Sequence, residues 1–540
     1  MRAERGRASS HGMTSGHGTS IVPLLRHGTS IVPLLRHGTS IVPLLRHGTS
    51  VLPLLRAPPF PWAAPVAITV TGGTPPSLAE ARDVLDALRA ARVGGAFWDG
   101  KRDPWTQVAQ GAAVQANVDD DLAIVAWLSG VAVHDMAGTI VDPARVERAC
   151  LDRLTAFACH DPFEDRPATL ADTVLRLANW RRTLDANRGI GVMTGMALWK
   201  RAAIGNFLWD GRQSPVAASA NKALVTARRS GRAIAGWASR IPADYARDAQ
   251  AAGLELQIVE DGFIRSSGLG ADGRVPSSIT IDTRGIYYDP ARPSDLETLL
   301  QTQVFSDDLI ERARRLRTLI CDHDIGKYGV AAGTVRPLPD RRCVLAIGQV
   351  EDDRSVLCGG AGVASNLQFL ARVRACEPEA FIVYRPHPDV VAGHRKGHVS
   401  SSAGAEWVDR IDQDSALLSL VGRVDAVHVL TSLTGFEALM RGRPVTVHGR
   451  PFFAGWGLTE DRVEQPARRR RTLTIDQLVA VTLILYPRYI DPVTGVFCEV
   501  ETLIARIAAG QGGSDTAFTL IRQALGRLRR QGVLIAAGVR

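Results

Sequence analysis

Two periods of apolar residues divide this chain. At helical spacing they run through residues 78–92 and 145–185, where TLADTVLRLANWRRTLDAN (169–187) reads as a helix. From residue 233 onward, apolar runs of strand length alternate with helical segments. AIAGWAS (233–239) and LELQIVE (254–260) flank a helix over 242–252. CVLAIGQ (343–349), AFIVYRP (380–386), DAVHVLTS (425–432) and PVTVHG (444–449) follow, with a helix over 365–376 and another at FEALMRG (436–442). Such alternation predicts parallel sheets covered by helices. The prolines of TVRPLPD (334–340) mark a linker, so the expected fold class is α/β, with two Rossmann-like lobes, a cleft where strand ends meet, and a helical C-terminal tail. The expected divisions are a mixed, helix-rich region over 67–185, a first lobe over 186–335, a second over 336–510 and a tail over 511–540, helical at 514–535.

Upstream, HGTSIVPLLR occurs three times over 17–46 and is followed by HGTSVLPLLR to residue 56. Ten residues is far shorter than the 20–50 of solenoid repeats, and each copy carries a proline that interrupts a helix or ladder. Residues 1–66 are therefore expected to be a disordered or spurious extension, and a chain starting near Val66 to keep full activity.

Composition narrows the class. A chain of 540 residues exceeds one core, and 45% hydrophobic with 22% charged residues is ordinary for a soluble globular protein. The net charge of +9 favours acidic partners such as nucleotides, phosphates or anionic headgroups. The basic residues are scattered and no zinc-finger, RRM or KH pattern occurs, which argues against nucleic acid. The densest run, Arg468 to Arg471, reads as a solvated loop or as a contact with an anionic membrane surface. Seven cysteines without a C-x-x-C pair suit reduced thiols in the cytosol. No apolar stretch approaches the ~18 residues of a span and no signal-peptide pattern is read at the start, so any membrane contact is expected to be peripheral.

Candidate chemistry collects at strand ends. In AIGQVEDDRSV (346–356) a buried-type strand stops at Gly348, and Glu351, Asp352 and Asp353 crowd behind Gln349. In IVYRPHPDVVAG (382–393), Pro386 and Pro388 stop a strand and fix His387, which can hydrogen-bond a phosphate or cap a turn. In HVLTSLTGFEALMRG (428–442), Thr431 and Ser432 supply hydroxyls and Gly435 opens a helix whose N-terminus can cradle phosphate. Glu437 there can accept ribose hydroxyls or simply suit the helix dipole. IVEDGFIRSSGLG (258–270) places Glu260 and Asp261 at a strand end, as acid/base candidates. Ser294 and Glu297 fit a capping box.

Six stretches, in order, resemble the bacterial capsular-polysaccharide β-Kdo transferases (Kdo is 3-deoxy-D-manno-oct-2-ulosonic acid). They are EDGFIRSSGLG, IDTRGIYYDPARPSDLE, GQVEDDRS, YRPHPDVVAGHRKG, TSLTGFEALMRGRPVTVHGRPFFAGWGLTED and RRRRTLTIDQLVAVTLILYPRYIDP, within about residues 160–510. The resemblance implies a GT-B-like fold, a CMP-Kdo donor, a lipid-linked saccharide acceptor, retention of the β configuration, and a place at the inner face of the cytoplasmic membrane beside the capsule export machinery. It makes Asp353 of the Q-x-x-x-D motif the nucleophile, with Gln349, and Glu260 or Asp261 the acid/base. His387, Pro388, Thr431 and Ser432 would hold the CMP phosphate and Glu437 the ribose. Arg265 and Arg385 are assigned to the sugar carboxylate on their charge, and Glu351 and Asp352 are expected to point outward. With one phosphate to neutralise and no D-x-D motif, the reaction is expected to need no metal or other cofactor. The alternatives are a non-catalytic nucleotide-binding module that couples synthesis to export, and a transferase for another CMP-keto-sugar such as CMP-sialic acid.

Overall fold

The computed structural model describes residues 45–46, 49–50, 52–111, 113–242, 244–265, 275–330, 333–393 and 395–511. Most of the decapeptide repeats and the expected helix at 514–535 lie outside the described residues.

Strands β1 (Ile190–Thr194), β2 (Val216–Ala218), β3 (Ala233–Trp237), β4 (Leu256–Asp261) and β5 (Ser278–Asp282) begin one sheet. A second sheet holds β6 (Cys343–Ile347), β7 (Phe381–Arg385), β8 (Arg410–Ile411), β9 (Ala426–Val429), β10 (Val445–Val447) and β11 (Glu460–Asp461). The chain then returns to the first sheet with β12 (Arg488–Ile490) and β13 (Phe497–Cys498).

The second sheet is parallel throughout, in the order β8-β7-β6-β9-β10-β11. Counting from β6, that is 3-2-1-4-5-6, the Rossmann order, in which the direction of winding reverses between β6 and β9 and opens a crevice at their carboxyl ends. Every residue of β6 and β9 is buried, which is why β6 reads as an unbroken apolar run and β9 as one interrupted only by His428.

The first sheet departs from the expectation of a contiguous Rossmann-like lobe. Its order is β13-β12-β5-β4-β3-β1-β2; the β2, β1, β3, β4 portion is parallel, and the β4/β5, β5/β12 and β12/β13 pairings are antiparallel. Residues 488–498, expected in the second lobe, therefore complete the first. Their pairing is fixed by distant partners: Tyr489 and Phe497 are buried, and Trp180 Nε1 donates to the Phe497 carbonyl at 2.7 Å.

The extension also ends earlier than expected. Leu54 and Leu55 of the last repeat copy are buried, the Gly95 N–H donates to the Leu54 carbonyl at 2.9 Å, and Arg56 pairs with Asp121. Phe60 packs its ring 5.4 to 5.7 Å from those of Trp62, Trp180, Trp209 and Phe497. A start near Val66 would strip these side chains from a core that joins the N-terminal region to the first sheet. Phe60→Ala is expected to cost about 3–5 kcal/mol, the usual range for a buried phenylalanine, read as a lower denaturant midpoint at unchanged slope.

Candidate active site

A cleft of about 780 Å³ lies where the two sheets present their strand ends. Glu260 and Asp261 line it from the first sheet, and Gln349, Asp353, Arg385, His387, Pro388, Thr431, Ser432 and Glu437 from the second. Arg265 and Gly435 are not among its lining residues.

Beyond β6 the crowded acids are resolved by giving each a different partner. Glu351 Oε1 accepts the Asn366 N–H at 2.8 Å, so this carboxylate turns toward the protein rather than outward. Asp352 is exposed and accepts from Arg395 Nη2 at 3.1 Å. Asp353 is the N-cap of helix Arg354–Gly359: its Oδ1 accepts the Ser355 N–H at 3.0 Å and hydroxyl at 2.8 Å. Its Oδ2 carries no hydrogen bond among the described residues. The cap thus fixes one oxygen and leaves the other free.

Gln349 is a strut across the switch point, not a free donor-binding group. Its Nε2 donates to Thr431 Oγ1 at 2.8 Å, and its Oε1 accepts the Thr431 N–H at 2.7 Å. Those two bonds join the ends of β6 and β9. His387 is both a cap and a cleft residue. Its Nδ1 accepts the Asp389 N–H at 3.1 Å, which places the ring proton on Nε2, and burial lowers its pKa and favours the neutral form. Gly435 serves packing: a Cβ there would approach Phe453 Cζ to 2.6 Å, and its N–H already donates to the Ser432 carbonyl at 3.0 Å. Glu437 is buried, with Oε1 held by the Lys327 N–H at 3.0 Å.

On the first sheet the paired acids are pushed apart. Lys200 Nζ donates to both Asp261 oxygens, at 3.1 and 3.0 Å, and Arg265 Nε donates to Oδ2 at 3.0 Å. Burial alone would raise the Asp261 carboxyl, but Lys200 and Arg265 outweigh it and hold it below the usual range. Among the described residues Glu260 accepts only the Asp261 N–H, at 3.0 Å on Oε1; burial and then the neighbouring Asp261 charge push it up to about 7. Two adjacent carboxyls with opposed shifts are the mark of divided acid–base roles. Of the alternatives Glu260 and Asp261, only Glu260 is poised to exchange a proton near neutrality.

Both arginines assigned to a sugar carboxylate have other partners. Arg265 is buried and holds Asp261; Arg385 Nη1 donates to the Asp412 carbonyl at 3.1 Å. Three residues of the arginine run are engaged within the protein, and Arg470 is exposed. Arg469 is buried, donates to Glu297 Oε2 at 2.9 Å and to the Pro451 and Ala454 carbonyls, while Arg468 pairs with Glu297 and Arg471 donates to the Gln303 carbonyl at 2.7 Å. Glu297 therefore clamps segments 290–303 and 451–471 together; only the Ser294 half of the expected capping box forms. Glu297→Ala strands two arginines and is expected to cost about 3–5 kcal/mol, measured by denaturant titration, with Glu297→Gln recovering part of it.

Two lysines were not anticipated: Lys327 lines the cleft, and Lys200 holds the cleft residue Asp261. A signal existed: the chain has only five lysines among its 64 basic residues, and a lysine in an arginine-rich protein marks a place where a compact point charge serves better than a planar fork.

The fold and the crevice define an α/β protein with a Rossmann-ordered sheet whose strand ends face a pair of carboxyls across a cleft. A family model described as capsule polysaccharide biosynthesis protein matches residues 232–489. The chain is 37% identical over 391 residues to the capsule polysaccharide modification protein LipA of Neisseria meningitidis serogroup A, covering 70% of this chain and 55% of that protein. It is 40% identical over 333 residues to the lipopolysaccharide-processing protein LpsZ of Rhizobium meliloti, covering 60% of this chain and 75% of that protein. Two solved structures of Thermosulfurimonas dismutans KpsC, a β-Kdo 2,7 transferase and a β-Kdo 2,4 transferase, each align at TM-score 0.51 with 32% identity, covering 59% of this chain and 99% or 98% of theirs. The chain belongs to the capsule polysaccharide biosynthesis protein family. It spans about half the length of the meningococcal relatives, 55% and 49%. Among the described residues, no helix is long and apolar enough to cross a membrane.

Proposed function

We propose that this chain is a retaining β-Kdo transferase that moves Kdo from CMP-Kdo to a lipid-linked acceptor in capsular polysaccharide synthesis, at the inner face of the cytoplasmic membrane. The observation that carries the reading is the division of labour across the cleft: an aspartate with one fixed and one free oxygen on the Rossmann-ordered sheet, and a carboxyl raised to about 7 on the other. The likeness to the KpsC β-Kdo transferases supports the sugar. In this reading the sheets are the two lobes of a GT-B-like fold.

Asp353 Oδ2 attacks the anomeric carbon, the bond from that carbon to the CMP oxygen breaks, and CMP leaves with the electron pair. The His387 Nε2–H and the Ser432 hydroxyl neutralise the departing phosphate, with Pro388 fixing the turn and Glu437 receiving the ribose. The acceptor hydroxyl then gives its proton to Glu260 and attacks the same carbon, freeing Asp353. Two inversions give net retention, as in retaining glycosidases. Preorganised donors supply the charge stabilisation, so the reaction is proposed to proceed without a divalent ion or other cofactor.

The test is CMP release from fresh CMP-Kdo with and without a β-Kdo-terminated lipid acceptor, with CMP-sialic acid as rival donor and with EDTA. Acceptor-stimulated release from CMP-Kdo, insensitive to EDTA, is expected. Folded protein that binds CMP yet releases none from either donor overturns the reading in favour of a binding module.

A further inference from the structure

Lys327 sits at the tip of a two-residue hairpin loop between strands Ile325–Gly326 and Gly329–Val330. Gly329 there has φ +104, which a side chain would resist. The loop's backbone is tied to both walls of the cleft. The Lys327 N–H donates to Glu437 Oε1 at 3.0 Å, and its carbonyl accepts the Arg265 N–H at 2.9 Å. Gly326 packs so closely that a Cβ would come within 2.7 Å of Glu437 Oε1. The side chain therefore enters the cleft from a fixed base.

The ammonium lies within electrostatic reach of Glu260, Asp261, His387 and Glu437. Yet among the described residues no carboxylate comes within ion-pair distance of it, while Lys200 and Arg265 are both committed to Asp261. The cations of the opposite rim are engaged too: Arg395 with Asp352 and Arg354 with Tyr288. Arg385 is bonded to Asp412.

We propose that the Lys327 ammonium is the subsite for the carboxylate of the donor's keto-acid sugar. This rests on the transferase reading. In a sugar derived from a 2-keto acid, the carboxylate is attached to the anomeric carbon itself. With the phosphate against His387 and the nucleophile at Asp353, that carboxylate lies one bond from the reacting centre, between the phosphate wall and Glu260, which is where Lys327 points its charge. A flexible point charge suits this place, because the carboxylate swings as the carbon inverts twice, and a rigid guanidinium fork would favour one geometry.

The experiment compares equilibrium affinities of wild type, Lys327→Met and Lys327→Arg for CMP and for fresh CMP-Kdo, together with CMP release. CMP carries the phosphate without the carboxylate. Lys327→Met is expected to weaken CMP-Kdo binding at least tenfold and leave CMP within about twofold, with Lys327→Arg recovering part of the affinity. Equal weakening for CMP and CMP-Kdo would make Lys327 a phosphate contact and overturn the proposal, as would no change for either. If wild type binds CMP-Kdo but releases no CMP, the transferase reading falls, and the affinity comparison still decides the subsite. Both substitutions leave the two backbone bonds of the hairpin in place, and circular dichroism of each variant checks the fold.

Discussion

Asp353→Asn is expected to leave a folded, CMP-binding protein that transfers nothing measurable, at least about 10³-fold below wild type, the scale on which loss of a nucleophile is felt. The choice of asparagine matters because Asp353 has two jobs. As N-cap of Arg354–Gly359 it accepts two bonds from Ser355, and asparagine caps about as well as aspartate. Asp353→Ala removes the cap as well and should lose about 1 kcal/mol of stability besides. Equal inactivity of the two variants, with only the alanine destabilised, assigns the lost activity to the carboxylate. An asparagine variant that still transfers would remove Asp353 from the reaction.

Glu260→Gln should lower turnover by about 10²–10⁴-fold, the usual contribution of a general base, and should change the pH profile. A base acts when ionised, so wild-type activity is expected to rise with pH through about 7 and level off above it. The glutamine variant should lose that limb. Lys200 favours the ionised form of Glu260, so Lys200→Met should move the limb to higher pH. The same shift has a stability sign. A carboxyl raised in the folded state ionises more readily when unfolded, so its contribution falls as pH climbs from the ordinary glutamate value of 4.5 to about 7. At pH 8 Glu260→Gln is therefore expected to melt above wild type while working far below it, a trade common at active sites.

The inner strands of the second sheet were legible because they are buried on both faces, and β6, β7, β9 and β10 announce themselves as mainly apolar runs, whereas the edge strands β8 and β11 did not. Their carboxyl ends then point to Asp353, His387 and Thr431 without further information. The first sheet was only half legible. β12 and β13 are three and two residues long, too short for any period to register, and the β5 edge on which β12 pairs lies about two hundred positions away. Side-chain partners were the least visible layer. Charge alone sent Arg265 and Arg385 to a substrate, whereas folding brings Asp261 and Asp412 to them first. The arginine run looked like surface for the same reason: nothing local shows that Glu297 lies against it. Lys327 hid in a hairpin whose importance comes from being fastened to Glu437 on one side and Arg265 on the other.

The return of β12 and β13 to the first sheet has a consequence for biogenesis. During synthesis β5 emerges with its outer edge bare, and its neighbour β12 follows only after the whole second sheet has been made. At about 5–20 residues per second that interval lasts roughly 10–40 s. Meanwhile Phe60, Trp62 and Trp180, which close over Phe497 and Gly495, have no finished surface to cover. The nascent chain thus carries an open strand edge and an uncovered aromatic cluster away from the ribosome, and both are sealed by β12 and β13. A ribosome stalled short of β12 would leave a product with its second sheet able to form and its first unable to close, a natural client for chaperones and proteases.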